Sequence, residues 1–381
     1  MKKQKYILIA YAALIYILSG CISPFEPVGV EDMSGLLVVE GVILEEGTRI
    51  TLSRTVKINE SLTAGYLFEG VNYATIRIID EAHNVVAVAE QSDYGQYTVN
   101  DRFSFVPGMK YALDIQVYWK HYQSAFVEPV YTPEIDSVNW KLNDDYSIDI
   151  MVSTHDPENK TLYCLWDFEE NWELRSPNFS LFRYDPITQL VIPQSLFGDN
   201  RYYCWASARS RSFLLASTEK FRDAVIANHK IHTLQPGNSR YSYLYSINVS
   251  QYSLPREASE YFKNLQRNID ESGSLFAPQP SEMTGNIQCL SDPDEAVIGY
   301  IWPSKKTSSR LFIPMAELRL THLEDQIRCE PMDFLTPSQA FSNGYGIYGE
   351  SYVPRPCVDC TTRGFGNPTK TKPDFWPNDH R

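Results

Sequence analysis

Apolar residues along this chain follow three rhythms. The first is an unbroken run from Tyr6 to Leu18 (YILIAYAALIYIL). The second is alternation with a period of two, the mark of strands that bury one face. Residues 36–44 read as a buried strand, and residues 48–54 put Ile50 and Leu52 on one face. Residues 73–80 and 85–90 predict a hairpin around Glu81-Ala82-His83-Asn84, and Tyr94-Gly95-Gln96-Tyr97 turns into a further strand. Val106-Pro107-Gly108 is a turn ahead of a strand over 111–119, with Leu113, Ile115 and Val117 on one face. Beyond Tyr131-Thr132-Pro133, residues 135–142, 146–154 and 161–168 alternate again, and later strands fall at 202–207, 230–234, 241–251, 287–290 and 297–302. The third rhythm is helical: Ala258, Tyr261, Phe262, Leu265 and Ile269 share one stripe of a helix expected over about 254–272. Ser253 suits its cap, Pro255 its first turn and Gly273 its end.

Many short strands with turns between them predict a mainly β protein of two β-sandwich domains with one packed helix. The strand-loop-strand run over 35–130 resembles the prealbumin-like, carboxypeptidase-regulatory type of sandwich. Residues 131–381, with long alternating strands and core candidates Trp140 and Trp166, resemble a fibronectin type III sandwich carrying a cysteine-containing C-terminal tail. The helical stripe is expected to pack across this second sandwich.

The N-terminal apolar run changes the picture from fold to location. It follows Lys2, Lys3 and Lys5, has signal-peptide length, and is too short to cross a bilayer comfortably. Leu18-Ser19-Gly20-Cys21 then resembles the lipobox of bacterial lipoproteins. Residues 1–20 therefore read as a cleaved signal, Cys21 as the lipidated first residue, and 21–34 as a tether with Pro24, Pro27 and Gly29. Several acyl chains on one residue give stable attachment where one would not. Residue 22 is Ile rather than Asp, so the outer membrane is expected, with the cell-surface face favoured.

The chain has 381 residues and a formal net charge of −13, which removal of the three signal lysines takes to −16. An acidic chain without a basic cluster excludes ordinary nucleic-acid binding, which rests on neutralised phosphates. Aromatics make up 13% of the chain, more than strand cores alone ask for, so some exposed binding area is expected, for a glycan, a peptide or a protein partner. Tyr345, Tyr348, Tyr352, Phe375 and Trp376 concentrate in a glycine-rich C-terminal region that reads equally as a contact surface or as an edge-covering tail.

With Cys21 used for lipid, Cys164, Cys204, Cys289, Cys329, Cys357 and Cys360 remain, an even set that in an exported protein allows up to three disulfides. Cys357-x-x-Cys360 lies among prolines and glycines rather than at a helix start, which favours a structural bridge, within the motif or outward, over a redox pair. His229-x-x-His232, placed where a short helix would meet a strand, has no acidic partner at ligand spacing, so no metal or cofactor is expected. No Gly-x-Ser-x-Gly, His-Glu-x-x-His, phosphate loop or dinucleotide fingerprint occurs. Asp136-Ser137-Val138 resembles a three-residue O-glycosylation motif of envelope proteins, though strand entry serves it as well.

Several stretches carry a family resemblance in order along the chain: Leu37-Val38-Val39-Glu40-Gly41, Thr51-Leu52-Ser53-Arg54, Ser153-Thr154-His155-Asp156-Pro157-Glu158, Cys204-Trp205, Gln251-Tyr252-Ser253-Leu254, Gly285-Asn286-Ile287-Gln288-Cys289, Val297-Ile298-Gly299-Tyr300, Cys357-Val358-Asp359-Cys360 and Lys372-Pro373-Asp374-Phe375-Trp376. Together they resemble the outer-membrane lipoproteins of domain of unknown function 4249. That resemblance implies a Gram-negative envelope and association with TonB-dependent outer-membrane transporters, and it supplies no activity. The expectation is a non-catalytic accessory lipoprotein of a nutrient transporter. A surface adhesion or structural lipoprotein is the first alternative. A glycan- or peptide-processing enzyme is the second, since two carboxylates placed in space would suffice.

Overall fold

The computed structural model describes residues 35–56, 69–160, 162–195, 200–210, 212–271, 285–324, 327–334 and 336–378. The expected signal segment, Cys21, the expected tether and Gly273 lie outside them. The protein is mainly β. The first unit is built from β1 (Leu37–Val42), β2 (Arg49–Arg54), β3 (Glu69–Gly70), β4 (Thr75–Asp80), β5 (Val85–Asp93), β6 (Gln96–Thr98), β7 (Tyr111–Val117) and β8 (Lys120–Ser124). The second follows with β9 (Ile135–Leu142), β10 (Ile148–His155), β11 (Tyr163–Arg175), the hairpin β12 (Phe182–Asp185) and β13 (Leu190–Pro193), β14 (Tyr203–Arg209), β15 (Leu214–Ser217), β16 (Val225–Leu234) and β17 (Leu244–Ser253). Helix α1 (Arg256–Glu271), β18 (Ile287–Cys289), β19 (Val297–Ile298) and β20 (Lys306–Ile313) come next. The chain closes with α2 (Pro337–Ser342), β21 (Tyr345–Tyr348) and β22 (Ser351–Pro354).

The first unit is one sheet wound almost into a barrel, in the order β18-β8-β7-β4-β5-β6-β2-β1-β19 with β3 against β2. Its long β5 pairs with β4 through its first half and with β6 through its second, carrying the sheet around the corner. The expected domain limit at 130 is therefore crossed: β18 adds antiparallel to β8 and β19 parallel to β1, both from residues that follow the second unit's β17. Asn286 joins these two edges, its side chain giving and taking a hydrogen bond with the backbone of Ile301 at 2.7 and 2.8 Å. Ile287, Cys289, Val297 and Ile301 complete the barrel core with Leu37, Ile76, Leu113 and Tyr122. A strand pattern shows which face of a segment is buried but not which sheet it joins, and this return is invisible to it.

The second unit is a sandwich, with β16-β10-β9 facing β14-β11-β17-β20, and β15 also on β11. Alternation drives it: Ile148, Ile150 and Val152 of β10 point into a core shared with Trp166, Trp172, Ile247 and Val249. Trp166 is fully buried there and donates to Gln251, which in turn donates to Pro133 and Thr154.

Helix α1 lies on the seam between the units rather than across the sandwich alone. Ala258, Tyr261, Phe262 and Leu265 pack on Leu44 of the first unit, Tyr252 and Leu254 of the second, and Trp302 between them. Ser253 ends β17 instead of capping the helix. Its carbonyl accepts from the Trp302 indole at 3.0 Å and the Ser304 hydroxyl at 3.0 Å, while Ile43 exchanges backbone hydrogen bonds with Trp302 and Ser304.

Candidate functional site

β11 and β17 run away from the seam, and their far ends are covered by the C-terminal tail. Two disulfides fasten it. Cys204–Cys360 ties it to β14, and Cys329–Cys357 closes a loop within it. The Cys357-x-x-Cys360 pair thus bridges outward to two partners and not to itself. Cys164 and Cys289 remain buried thiols, each in the core of a different unit, which keeps them apart and removes the third bridge. Burial pushes the Cys164 thiol up to about 12, so it stays protonated.

Polar contacts complete the fastening. Arg201 donates to Asp359 at 2.6 Å, Arg363 donates to the Arg175 carbonyl at 2.6 Å and pairs with Glu324, and Thr369 exchanges backbone hydrogen bonds with Trp205. The structure separates the five C-terminal aromatics. Trp376 is buried against Trp205 and Leu244 and donates to Glu173 at 3.2 Å, so its role is to hold the tail down. Phe375 lies under the Arg310 guanidinium, 3.5 Å from the ring centre. Tyr345 and Tyr352 stay together around Phe334, with ring centres 5.0 and 5.7 Å away, and Tyr348 is exposed near the hairpin turn.

Beside that hairpin stands the β12–β13 hairpin, whose aromatic and aliphatic side chains sequence reading passed over. Leu181, Phe182, Leu190 and Val191 are exposed, and Ile187 at the loop tip is 90% exposed. Asp185 orders the tip by accepting from the Ile187 N–H at 3.1 Å and the Thr188 hydroxyl at 2.9 Å. These bonds hold its carboxyl below the usual range. Phe182, Val191, Pro337, Ile347 and Tyr352 line a shallow groove of about 290 Å³ between the two hairpins. Inward, past Tyr184, Phe341 and Arg355, it narrows to about 30 Å³. That is room for water and not for a nutrient, since small-molecule sites run to several hundred Å³. The arrangement offers two-stranded edges and apolar side chains to another surface.

A separate cleft of about 550 Å³ opens at the seam, with Glu40, Arg49, Asp167, Glu169, Arg209 and Lys306 on its walls. Burial pushes the Glu40 carboxyl up, and Asp167 accepts from the Tyr252 hydroxyl at 3.1 Å. Its charges are of both signs and shared between the units. His229 and His232 both lie within strand β16 rather than at a helix–strand junction: His229 stacks on Trp166, and His232 sits against Phe168, 3.3 Å from Glu170. Among the described residues no group of three His, Cys, Asp or Glu side chains is placed to hold a metal ion. Ser137 lies half-buried in β9, where Asn139 donates to it at 3.0 Å.

A chain with this paired-sheet build and a fastened tail matches, over residues 22–310, the family described as a domain of unknown function, DUF4249, and belongs to it. The match ends within β20, so the cysteine-fastened tail with its three hairpin tyrosines lies beyond it. None of the curated proteins matches the chain.

Proposed function

We propose that the protein is a non-catalytic lipoprotein of the bacterial outer membrane, anchored through Cys21, facing the cell surface, and serving as an accessory of a TonB-dependent nutrient transporter. One observation carries the docking part of this reading: the paired hairpins at the far end expose Leu181, Phe182, Ile187, Leu190 and Val191 beside the Tyr348 hairpin. Contiguous exposed apolar side chains on short open-edged strands are a liability for a protein that stays alone, and they are what a protein partner covers. The lipobox supports the membrane, and the family resemblance supports the class of partner. The strand orders support the finer fold reading, fibronectin III-like for the sandwich and a wound-up relative of the prealbumin type for the barrel.

Gentle solubilisation of outer membranes through a C-terminal tag tests the reading. Recovery of a TonB-dependent barrel in near-equal amount is the expected result, with that recovery lost in Ile187→Asp/Leu190→Lys. Recovery of the lipoprotein alone from wild-type membranes would reject it and move attention to attachment or to glycan capture.

A further inference from the structure

The end of the barrel opposite the seam carries a second, separate set of exposed aromatics. β4 begins there and β7 ends there, since Thr75 pairs with Gln116. Tyr73, two residues before Thr75, and the turn Tyr118-Trp119 between β7 and β8 therefore stand at one rim. Tyr94 occupies the β5–β6 turn on the same rim, next to Gly70. Tyr73 is 88% exposed, Trp119 79% and Tyr118 71%. No core packing explains them.

Their backbone makes the point sharper. Tyr73 has φ +61° and Tyr118 φ +52°, the left-handed region in which a bulky side chain is an outlier and which tight turns ordinarily give to Gly or Asn. The Tyr73 loop is held in that state: the Tyr73 N–H donates to Gln91, and the Tyr97 hydroxyl accepts from Ala74 and donates to Val71, each at 2.9 Å. A strained backbone kept in place by its neighbours to present an aromatic ring to solvent marks a functional surface.

The start of β1 says what covers it. Leu37 pairs with Arg54, and Gly35 bonds to Thr55 beside the strand end that meets Gly70 and Gly95, so the chain arrives at this rim. Gly35 follows Cys21 by fourteen steps of the chain, a reach of at most about 50 Å. The far end, with its hairpins, lies beyond both the barrel and the sandwich. Trp and Tyr rings, apolar in body and polar at one edge, favour the boundary between headgroups and acyl chains. Lys120 at this rim is engaged by Glu295 and Asp292, so attraction to anionic lipid is not the driving term.

We infer that Tyr73, Tyr94, Tyr118 and Trp119 form an aromatic foot that rests in the lipid interface and stands the molecule upright on its anchor. The inference rests on lipidation at Cys21, and the test separates the two. The lipidated full chain is reconstituted into vesicles of phosphatidylethanolamine and phosphatidylglycerol with brominated acyl chains, and flotation and tryptophan emission are read together. Flotation with quenching that is lost in Trp119→Phe is expected. Flotation with equal quenching in wild type and Trp119→Phe overturns the foot and leaves the anchor standing. Failure of the wild-type chain to float overturns the anchor and the foot together. Tyr118→Asn, which suits the left-handed turn, is expected to melt at a higher temperature and to lose part of the Trp119 quenching. A higher melting temperature with undiminished quenching would remove the tyrosine from the foot.

Discussion

Glu170 is a buried, multiply bonded charge in the sandwich. Its carboxylate takes both a 2.6 Å and a 2.7 Å bond from Arg240 and a third at 2.9 Å from the Tyr245 hydroxyl, with the His232 ring 3.3 Å away. Burial alone would raise its pKa, but the His232 and Arg240 contacts outweigh that and bring it down to about 2. A carboxylate whose pKa is depressed in the folded state stabilises above its unfolded pKa and loses that contribution as pH falls through the folded value. From an unfolded value of about 4.5, the loss runs between about pH 5 and pH 2 and amounts to about 3 kcal/mol. Glu170→Gln should be destabilised at pH 7, because Arg240 keeps its charge in a buried site without its partner. Denaturant unfolding at a series of pH values checks this: the difference between wild type and variant should shrink toward pH 2. A constant difference would mean that Glu170 acts through shape alone.

At the scale of elements, the tail is an added layer whose attachment is concentrated in few contacts. The chain-entropy account of disulfides gives roughly 3–5 kcal/mol for closing loops of 28 and 156 residues, the longer one gaining more. Cys204→Ser/Cys360→Ser should therefore lower stability by several kcal/mol and open the tail to proteases, and Trp376→Ala should do the same at a cost of about 3–5 kcal/mol. Limited proteolysis with mass analysis reads both, and resistance equal to wild type would show that the hydrogen bonds from Arg201 and Arg363 suffice. These elements also show where sequence reading succeeds. Ile148, Ile150 and Val152, or Ile50 and Leu52, follow alternation into the core because a half-buried strand permits no other pattern. The β12–β13 hairpin escapes this pattern for the reverse reason. Its apolar residues face solvent, so they produce no inside-outside contrast. The C-terminal aromatics stand out in the sequence as a set, but their division into Trp376 beneath and Tyr348 outside depends on Cys204, a partner 156 residues from Cys360.

For the whole molecule, chain order and spatial order disagree, and stability should reflect the spatial one. The barrel lacks two of its strands and the closing side chain Asn286 until all of the sandwich but β20 has been synthesised, because β18 and β19 follow β17. A fragment ending at residue 130 would leave Ile115, Tyr122 and Leu37 facing the places of Ile287, Cys289 and Val297, with the edge strands β1 and β8 open. We expect that fragment to fail to fold, and the full chain to unfold in one transition, since Trp302 and α1 join the two cores. Trp302 is the residue to probe. It is fully buried, donates to the Ser253 carbonyl and packs on Phe262, so Trp302→Ala removes a ring from the seam while leaving both β cores intact. The loss should be about 3–5 kcal/mol, and it should fall on the coupling between units. Calorimetry of the variant should then resolve two transitions where the wild type has one. A single transition moved to lower temperature would mean that the shared strands couple the units without help from the seam, because a barrel finished by late strands cannot open without disturbing the chain on both sides of the sandwich.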